Sequence, residues 1–158
     1  MRELRPGHDA SGHRYALVAA RFNESYVKRL VDAACEVLRG RGVTDESVTL
    51  AWVPGSYELP VAAKWLAERG GVDAILAFGV VIRGETEHFR LVSEAASEGL
   101  LQVMLDSGLP VLNGVLAAEN AEQAAARSGG ALGNRGADVA LAAIQMVTLR
   151  RILAGANS

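Results

Sequence analysis

The sequence alternates short apolar runs with segments in which apolar residues recur every three or four positions. The short runs predict buried strands, and the helical spacing predicts amphipathic helices. The predicted strands cover residues 15–22, 47–53, 72–82 and 110–116. The run at 72–82 is apolar nearly throughout, which is typical of a parallel strand covered by helices on both faces. The alternation therefore predicts one α/β layered sandwich with right-handed crossovers.

Helices are predicted after each strand. The first follows Asn23 and Ser25, which offer N-cap oxygens, and ends at Gly40. The others are predicted over about 58–69, after the turn at 83–86, over about 121–128, and after the glycine-rich loop 129–136. Residues 1–13 are predicted to form a flexible N-terminal arm, and 14–158 a single domain.

Composition and charge exclude several classes of protein. The chain has 16 Lys and Arg against 18 Asp and Glu, so the basic excess of a nucleic-acid-binding protein is missing and no nucleic-acid partner is expected. The longest apolar run, Ala74–Ile82, is too short to span a bilayer, and no membrane partner is expected. The single cysteine, Cys35, excludes an intramolecular disulfide. The N-terminus lacks the apolar stretch of a signal peptide, so a soluble cytoplasmic protein is expected.

Residues suited to chemistry follow the predicted strands. In open parallel sheets, ligands bind beyond the carboxyl ends of the strands. Those ends carry Phe22-Asn23, Pro54-Gly-Ser-Tyr-Glu58, Ile82-Arg-Gly-Glu-Thr-Glu-His88 and Ala117-Ala-Glu-Asn120. An aromatic ring, a carboxylate, a small-residue turn and a histidine therefore converge on one edge, which predicts an active site there.

His88 is the candidate catalytic group. The other two histidines, His8 and His13, lie in the predicted arm, so His88 is expected to be the only imidazole of the folded body. It falls in the first turn of a helix, whose dipole disfavours the imidazolium cation. A neutral imidazole can act as a general base and then return the proton as an acid. The alternative is an inert polar residue near a helix start.

The turn before His88 suits an anion. Gly84-Glu-Thr86 can present backbone N–H groups and a hydroxyl to phosphate at a helix N-terminus, or Thr86 can serve only as an ordinary N-cap. Arg127 can add a bidentate phosphate contact, or it is a solvated surface arginine. Glu58 can accept hydrogen bonds from sugar hydroxyls, although the helix dipole alone also explains an acidic residue there.

These motifs give the chain a resemblance to the lumazine synthase family of riboflavin biosynthesis, from about Tyr15 to the last helix. The resemblance rests on Ala20-Arg-Phe-Asn23, Trp52-Val-Pro-Gly-Ser-Tyr-Glu-Leu-Pro60, Gly79-Val-Val-Ile-Arg-Gly-Glu-Thr-Glu-His-Phe89, Gly114-Val-Leu116, Glu122-Gln-Ala124 with Arg127, and Gly133-Asn-Arg-Gly136. It implies a three-layer, flavodoxin-like sandwich with a four-stranded parallel sheet.

The resemblance also implies a reaction. The family condenses 5-amino-6-(D-ribitylamino)uracil with 3,4-dihydroxy-2-butanone 4-phosphate to 6,7-dimethyl-8-ribityllumazine, phosphate and water. No metal or other cofactor is expected, because the amine and the ketone are already reactive. The resemblance implies that His88 transfers protons and that the pyrimidine stacks on Phe22. The backbone of Val80, Val81 and Ile82 is implied to hydrogen-bond the edge of the pyrimidine. Ser56, Tyr57 and Glu58 are implied to bind the ribityl chain, and Glu85 and Thr86 to bind phosphate. Arg127 and Asn113 are implied to come from a neighbouring subunit, where Arg127 binds phosphate. Asn23 and Arg135 are further candidate site residues.

Four departures from the family pattern are expected to affect substrate affinity. The family often has an aromatic residue, two threonines, a glutamate and a lysine where this chain has Asn113, Ala117-Ala118, Ala126 and Arg135. Two other readings stay open: a non-catalytic relative that binds flavin or only forms a shell, and an unrelated flavodoxin-like module that binds phosphate.

An assembly is implied as well. Family members are pentamers, decamers of two pentamers, or sixty-subunit icosahedral shells, with active sites between adjacent subunits of a pentamer. The loop at 128–136 lacks the insertion of pentameric members, so the resemblance implies a shell of pentamers, with riboflavin synthase as a candidate guest.

Overall fold

The computed structural model describes residues 1–155 and contains a four-stranded parallel sheet between two layers of helices. The strands lie in the order β2-β1-β3-β4 and are β1 Tyr15–Ala20, β2 Val48–Val53, β3 Ala74–Ile82 and β4 Val111–Ala118. The helices are α1 Glu24–Gly40, α2 Leu59–Arg69, α3 His88–Ser107, α4 Ala121–Arg127 and α5 Arg135–Leu153. This arrangement confirms the predicted three-layer, flavodoxin-like α/β sandwich. No helix within residues 1–155 is both long and apolar enough to cross a membrane.

Two hydrophobic cores lie on opposite faces of the sheet. Leu17 of β1 packs on one face with residues of α1 and α5, whereas its neighbour Val18 packs on the other face with residues of α2 and α3. Successive strand side chains alternate between faces, so a strand covered on both sides must be apolar at every position. The layers therefore explain the unbroken apolar run in β3.

The prediction of a plain loop at 129–136 is wrong. Residues Ser128–Gly130 and Gly133–Asn134 form a short antiparallel ribbon, β5 and β6, ahead of α5. Gly129 and Gly133 adopt φ values of 109° and 81°, which suit glycine. The Asn134 side chain donates to the carbonyl of Arg29 at 3.2 Å, so the ribbon is tied to α1.

The end of the N-terminal segment packs on the folded body. Ala10 is fully buried, and its N–H donates to the carbonyl of Arg41 at 2.8 Å. His13 is only 3% exposed, and its Nδ1 lies 2.7 Å from the Tyr15 hydroxyl. The expectation that His88 is the only imidazole of the body is therefore wrong, because His13 is buried there too. The boundary between arm and domain at residue 13 stays a prediction.

Candidate active site

An open pocket of about 910 Å³ lies where β1, β2 and β3 end. Parallel strands bring these carboxyl ends to one edge of the sheet, which is where the sequence predicts a site. The predicted residues that line the pocket are Phe22, Asn23, Ser56, Tyr57, Glu58, Val80, Val81, Ile82, Thr86 and His88.

Phe22 presents its ring at the end of β1. The side chain is 74% exposed, so its faces are open to a planar ligand. The N–H of Phe22 donates to the carbonyl of Pro54 at 3.1 Å, and the N–H of Arg21 donates to that of Val53 at 2.8 Å. These two bonds tie the chain around Phe22 to the end of β2.

Asn23 turns the chain from β1 into α1. Its φ of 59° and ψ of 37° are left-handed, and it is the only non-glycine residue with positive φ in residues 1–155. The prediction that its side-chain oxygen caps α1 is wrong, because the side chain makes no capping bond. The backbone carbonyl instead accepts from Tyr26 and Val27, and the side-chain amide donates to the carbonyl of Val80 at 2.8 Å.

A short 3₁₀ turn at Ser56–Glu58 forms the second side of the pocket. Ser56 is 5% exposed, whereas Tyr57 is 66% exposed and Glu58 is half-buried. The turn packs directly on β3, because a Cβ atom at Gly79 would overlap the Ser56 hydroxyl. Gly79 therefore permits the turn to lie against the strand, with Tyr57 and Glu58 facing the pocket.

His88 is the first residue of α3 and is exposed at the pocket. Its backbone N–H lies 3.4 Å from the Thr86 hydroxyl, which is long for a hydrogen bond. Thr86 is thus a weak cap, and the first turn of α3 retains N–H groups that can bind an anion. Beside this turn, the Arg83 guanidinium lies 3.2 Å from the Glu119 carboxylate and joins the ends of β3 and β4.

In the structure of residues 1–155, four other residues predicted for the site do not line this pocket. They are Glu85, Asn113, Arg127 and Arg135. The side-chain amide of Asn113, on the edge strand β4, already has hydrogen-bond partners in its own chain. It accepts from the N–H of Val115 at 3.0 Å and donates to the Ser97 hydroxyl at 3.4 Å. Arg127 and Arg135 are exposed at the end of α4 and the start of α5. The roles of all four residues stay predictions. Those of Arg127 and Asn113 are predicted for the pocket of a neighbouring subunit.

Sequence reasoning missed an apolar wall of the pocket. Leu91, Val92 and Ala95 line it from α3. They follow His88 by three, four and seven positions, which places all of them on one helix face. The helical period could therefore have identified them once His88 was chosen.

The polar groups of the pocket are a carboxylate, an amide, hydroxyls, backbone groups and an imidazole. Within residues 1–155, no group of three or more His, Cys, Asp or Glu side chains is arranged to hold a metal ion. Hydroxyls and a carboxylate suit a polyol, and the imidazole suits proton transfer.

Comparison with known proteins shows which family the chain is similar to. Residues 12–151 match the family described as 6,7-dimethyl-8-ribityllumazine synthase. The chain belongs to that family. A protein of this name from Halorhodospira halophila is 49% identical over 140 residues, which is 89% of this chain and 90% of the relative. Another from Nitratidesulfovibrio vulgaris (strain DP4) is 46% identical over 139 residues, which is 88% of this chain and 89% of the relative. The resemblance drawn from the motifs to lumazine synthases is confirmed.

Proposed function

We propose that this pocket condenses 5-amino-6-(D-ribitylamino)uracil with 3,4-dihydroxy-2-butanone 4-phosphate to 6,7-dimethyl-8-ribityllumazine, phosphate and water, the penultimate step of riboflavin biosynthesis. Membership of the lumazine synthase family, a family of transferases, supports the activity. The observation that locates it is the meeting of Phe22, Glu58 and His88 around one pocket. The alternative of a non-catalytic relative has no support from these comparisons.

The ribitylaminouracil occupies the part of the pocket formed by β1, β2 and β3. The exposed Phe22 ring stacks on the pyrimidine, and the backbone at the end of β3 recognises its edge. The ribityl hydroxyls bind the turn Ser56–Glu58, where the half-buried Glu58 carboxylate accepts their hydrogen bonds. Polar selectivity comes from this turn, because stacking alone accepts any planar ring.

The phosphate of the second substrate binds at the start of α3. Glu85 and Thr86 bring backbone N–H groups and a hydroxyl to the positive end of the helix dipole. Arg127 of a neighbouring subunit adds a bidentate cation.

His88 moves protons as the bonds rearrange. An amine of the pyrimidine attacks the ketone, and water leaves as the imine forms. A proton then leaves the carbon that bears the hydroxyl, a C=C bond forms, and phosphate leaves the next carbon with its C–O bonding pair. The resulting enol becomes a ketone, and the second amine attacks it and closes the ring with loss of another water. Each attack and the loss of the carbon proton release a proton, and each departure of water requires one, so a neutral imidazole that accepts and returns a proton serves these steps.

The enzyme works as a cytoplasmic homo-oligomer of pentamers that form an icosahedral capsid, with riboflavin synthase as a candidate guest. Large apolar side chains that are exposed in the single chain support burial between subunits, including Trp65 at 63% and Leu105 at 71% exposure. The loop that carries β5 and β6 lacks the insertion of pentameric members, which supports the shell.

An activity assay tests the proposed function directly. Purified protein is mixed with the two substrates, and lumazine formation is followed by absorbance against a protein-free control, because the substrates also react slowly unaided. A rate that scales with protein concentration supports the enzyme. No rate above the control, from protein shown to be folded and assembled, would assign the chain to a binding or shell-forming role instead.

A further inference from the structure

We propose that Asn23 is a positioning residue that places the Phe22 ring over the pocket, through its left-handed backbone and its side-chain hydrogen bond to Val80. This inference rests on the proposed function, in which Phe22 is the platform for the pyrimidine. Asn23 acts here through its neighbour and need not touch the substrate.

Packing does little to hold Phe22 in place. A ring that is 74% exposed has few neighbouring atoms to fix it, so the position of its backbone decides where the ring lies. On one side that backbone is tied to β2 by the bond from Phe22 to Pro54. On the other side it is tied to β3 by the amide of Asn23 on Val80. Residues 22–23 thus bridge the two strands that flank β1, and Asn23 supplies the anchor on β3.

The Val80 carbonyl needs this bond because β1 has already ended. The pairing of β1 with β3 runs from Tyr15–Ala74 to Ala19–Phe78, and β1 ends at Ala20. Val80 is 1% exposed, so its carbonyl requires a partner from within the protein. The amide of Asn23 takes the place of the next strand residue. Ile82 lies two residues further along β3, so its backbone N–H and carbonyl point toward the same side of the strand as the Val80 carbonyl. Because β1 has ended there and offers no partner, these groups are left for the pyrimidine edge.

Asparagine combines two properties that few residues share. It tolerates the left-handed conformation better than other residues with a Cβ atom, and its amide donates to a carbonyl. Glycine keeps the first property and loses the second. Aspartate tolerates the conformation, but its carboxylate only accepts hydrogen bonds and would repel the Val80 carbonyl. Alanine loses both. These substitutions separate the two parts of the anchor.

The test measures kcat/KM and KM for each substrate in Asn23→Gly, Asn23→Asp and Asn23→Ala. Loss of one hydrogen bond corresponds to a loss of about three- to tenfold. Asn23→Gly is expected to lower kcat/KM for the ribitylaminouracil by that factor and to leave the KM of the butanone phosphate unchanged. Asn23→Asp and Asn23→Ala are expected to lose more. Thermal unfolding of each variant shows that the protein is folded.

A double-mutant cycle with Phe22→Ala distinguishes positioning from a merely structural role. If Asn23 acts through the ring, Asn23→Gly has no further effect on kcat/KM for the ribitylaminouracil once the ring is removed. The value of kcat/KM is measurable even when binding is too weak to saturate. An equal loss in both backgrounds, or an equal rise in KM for both substrates, would overturn the inference.

A matched control is Asn120→Gly. The Asn120 side chain caps α4 by accepting from Gln123 at 2.9 Å, so this variant removes a true N-cap asparagine elsewhere in the fold. It is expected to lower the unfolding temperature without changing kcat/KM for the ribitylaminouracil; a comparable loss there would overturn the inference. Wild-type protein that fails to turn over would instead refute the proposed function, so the two failures are distinguishable.

Discussion

At the scale of single residues, the proposed function assigns the proton transfers to His88. His88→Ala is expected to lower kcat by about 10²- to 10⁴-fold, the range typical of general acid–base catalysis, with little change in either KM. The measurement is steady-state lumazine formation. His8→Ala is the matched control, since His8 is exposed and its Nε2 lies 2.7 Å from the side-chain amide of Gln145, away from the pocket lining. Equal kcat in His88→Ala and wild type would remove the role from His88.

His13 makes the stability of the fold depend on pH. Burial is the main cause that lowers its pKa below the usual 6.5, and the nearby Arg151 lowers it further, whereas Asp73 and Asp9 oppose the change. The unfolded chain then binds a proton more readily than the folded one, so the stabilisation is complete above pH about 6.5 and is lost as pH falls toward the folded-state value.

Replacement of His13 isolates this effect. His13→Asn keeps a polar group near the Tyr15 hydroxyl but does not titrate. Urea unfolding from pH 5 to 8 is expected to show a smaller decline in unfolding free energy at the acidic end for the variant than for wild type. Parallel curves for the two proteins would contradict the prediction.

At the scale of secondary-structure elements, the contact between β3 and the turn Ser56–Glu58 sets one wall of the pocket. A methyl group at Gly79 would overlap the Ser56 hydroxyl and approach Leu59 to 3.3 Å. Gly79→Ala is therefore expected to displace the turn, with a loss of about 1–3 kcal/mol in unfolding free energy and a higher KM for the ribitylaminouracil.

The matched test of this contact is a second substitution that makes space for the added methyl group at position 79. Ser56→Ala in the Gly79→Ala background removes the overlapping oxygen and should restore part of the lost stability. Chemical denaturation of the two single variants and the double variant measures the coupling. Additive losses would show that the two positions do not interact as the structure indicates.

The order of the elements could be predicted from the sequence, because apolar periodicity records which faces are buried. The ribbon at 128–134 could not, since it depends on a contact between Asn134 and Arg29 that is remote in sequence. The same holds for Asn23: local sequence rules predict that its side chain caps α1, whereas in the fold the side chain donates to the carbonyl of Val80. The edge of the sheet that holds the pocket could be predicted from the carboxyl ends of the parallel strands, whereas the burial of His13 depends on tertiary packing.

At the scale of the whole molecule, the pocket of one chain lacks a cation for the phosphate of the proposed reaction. Within residues 1–155 its lining includes no lysine or arginine, although one substrate carries a phosphate. The N–H groups at the start of α3 supply only partial charges. Arg127 is exposed and has no ion-pair partner among the same residues, so it is available to a second chain.

Mixed assemblies test whether Arg127 acts on a neighbour. Co-expressed His88→Ala and Arg127→Ala chains each lack one function, but a site that takes His88 from one chain and Arg127 from the other is intact. Random neighbours in a ring form such a site one time in four, so the mixture is expected to reach about a quarter of wild-type activity through its intact sites. Co-expressed His88→Ala and Phe22→Ala chains are the control, because both defects lie on the same side of the shared site and no intact site can form. Failure of the first pair to exceed the control would place Arg127 within its own chain's chemistry or outside the site altogether.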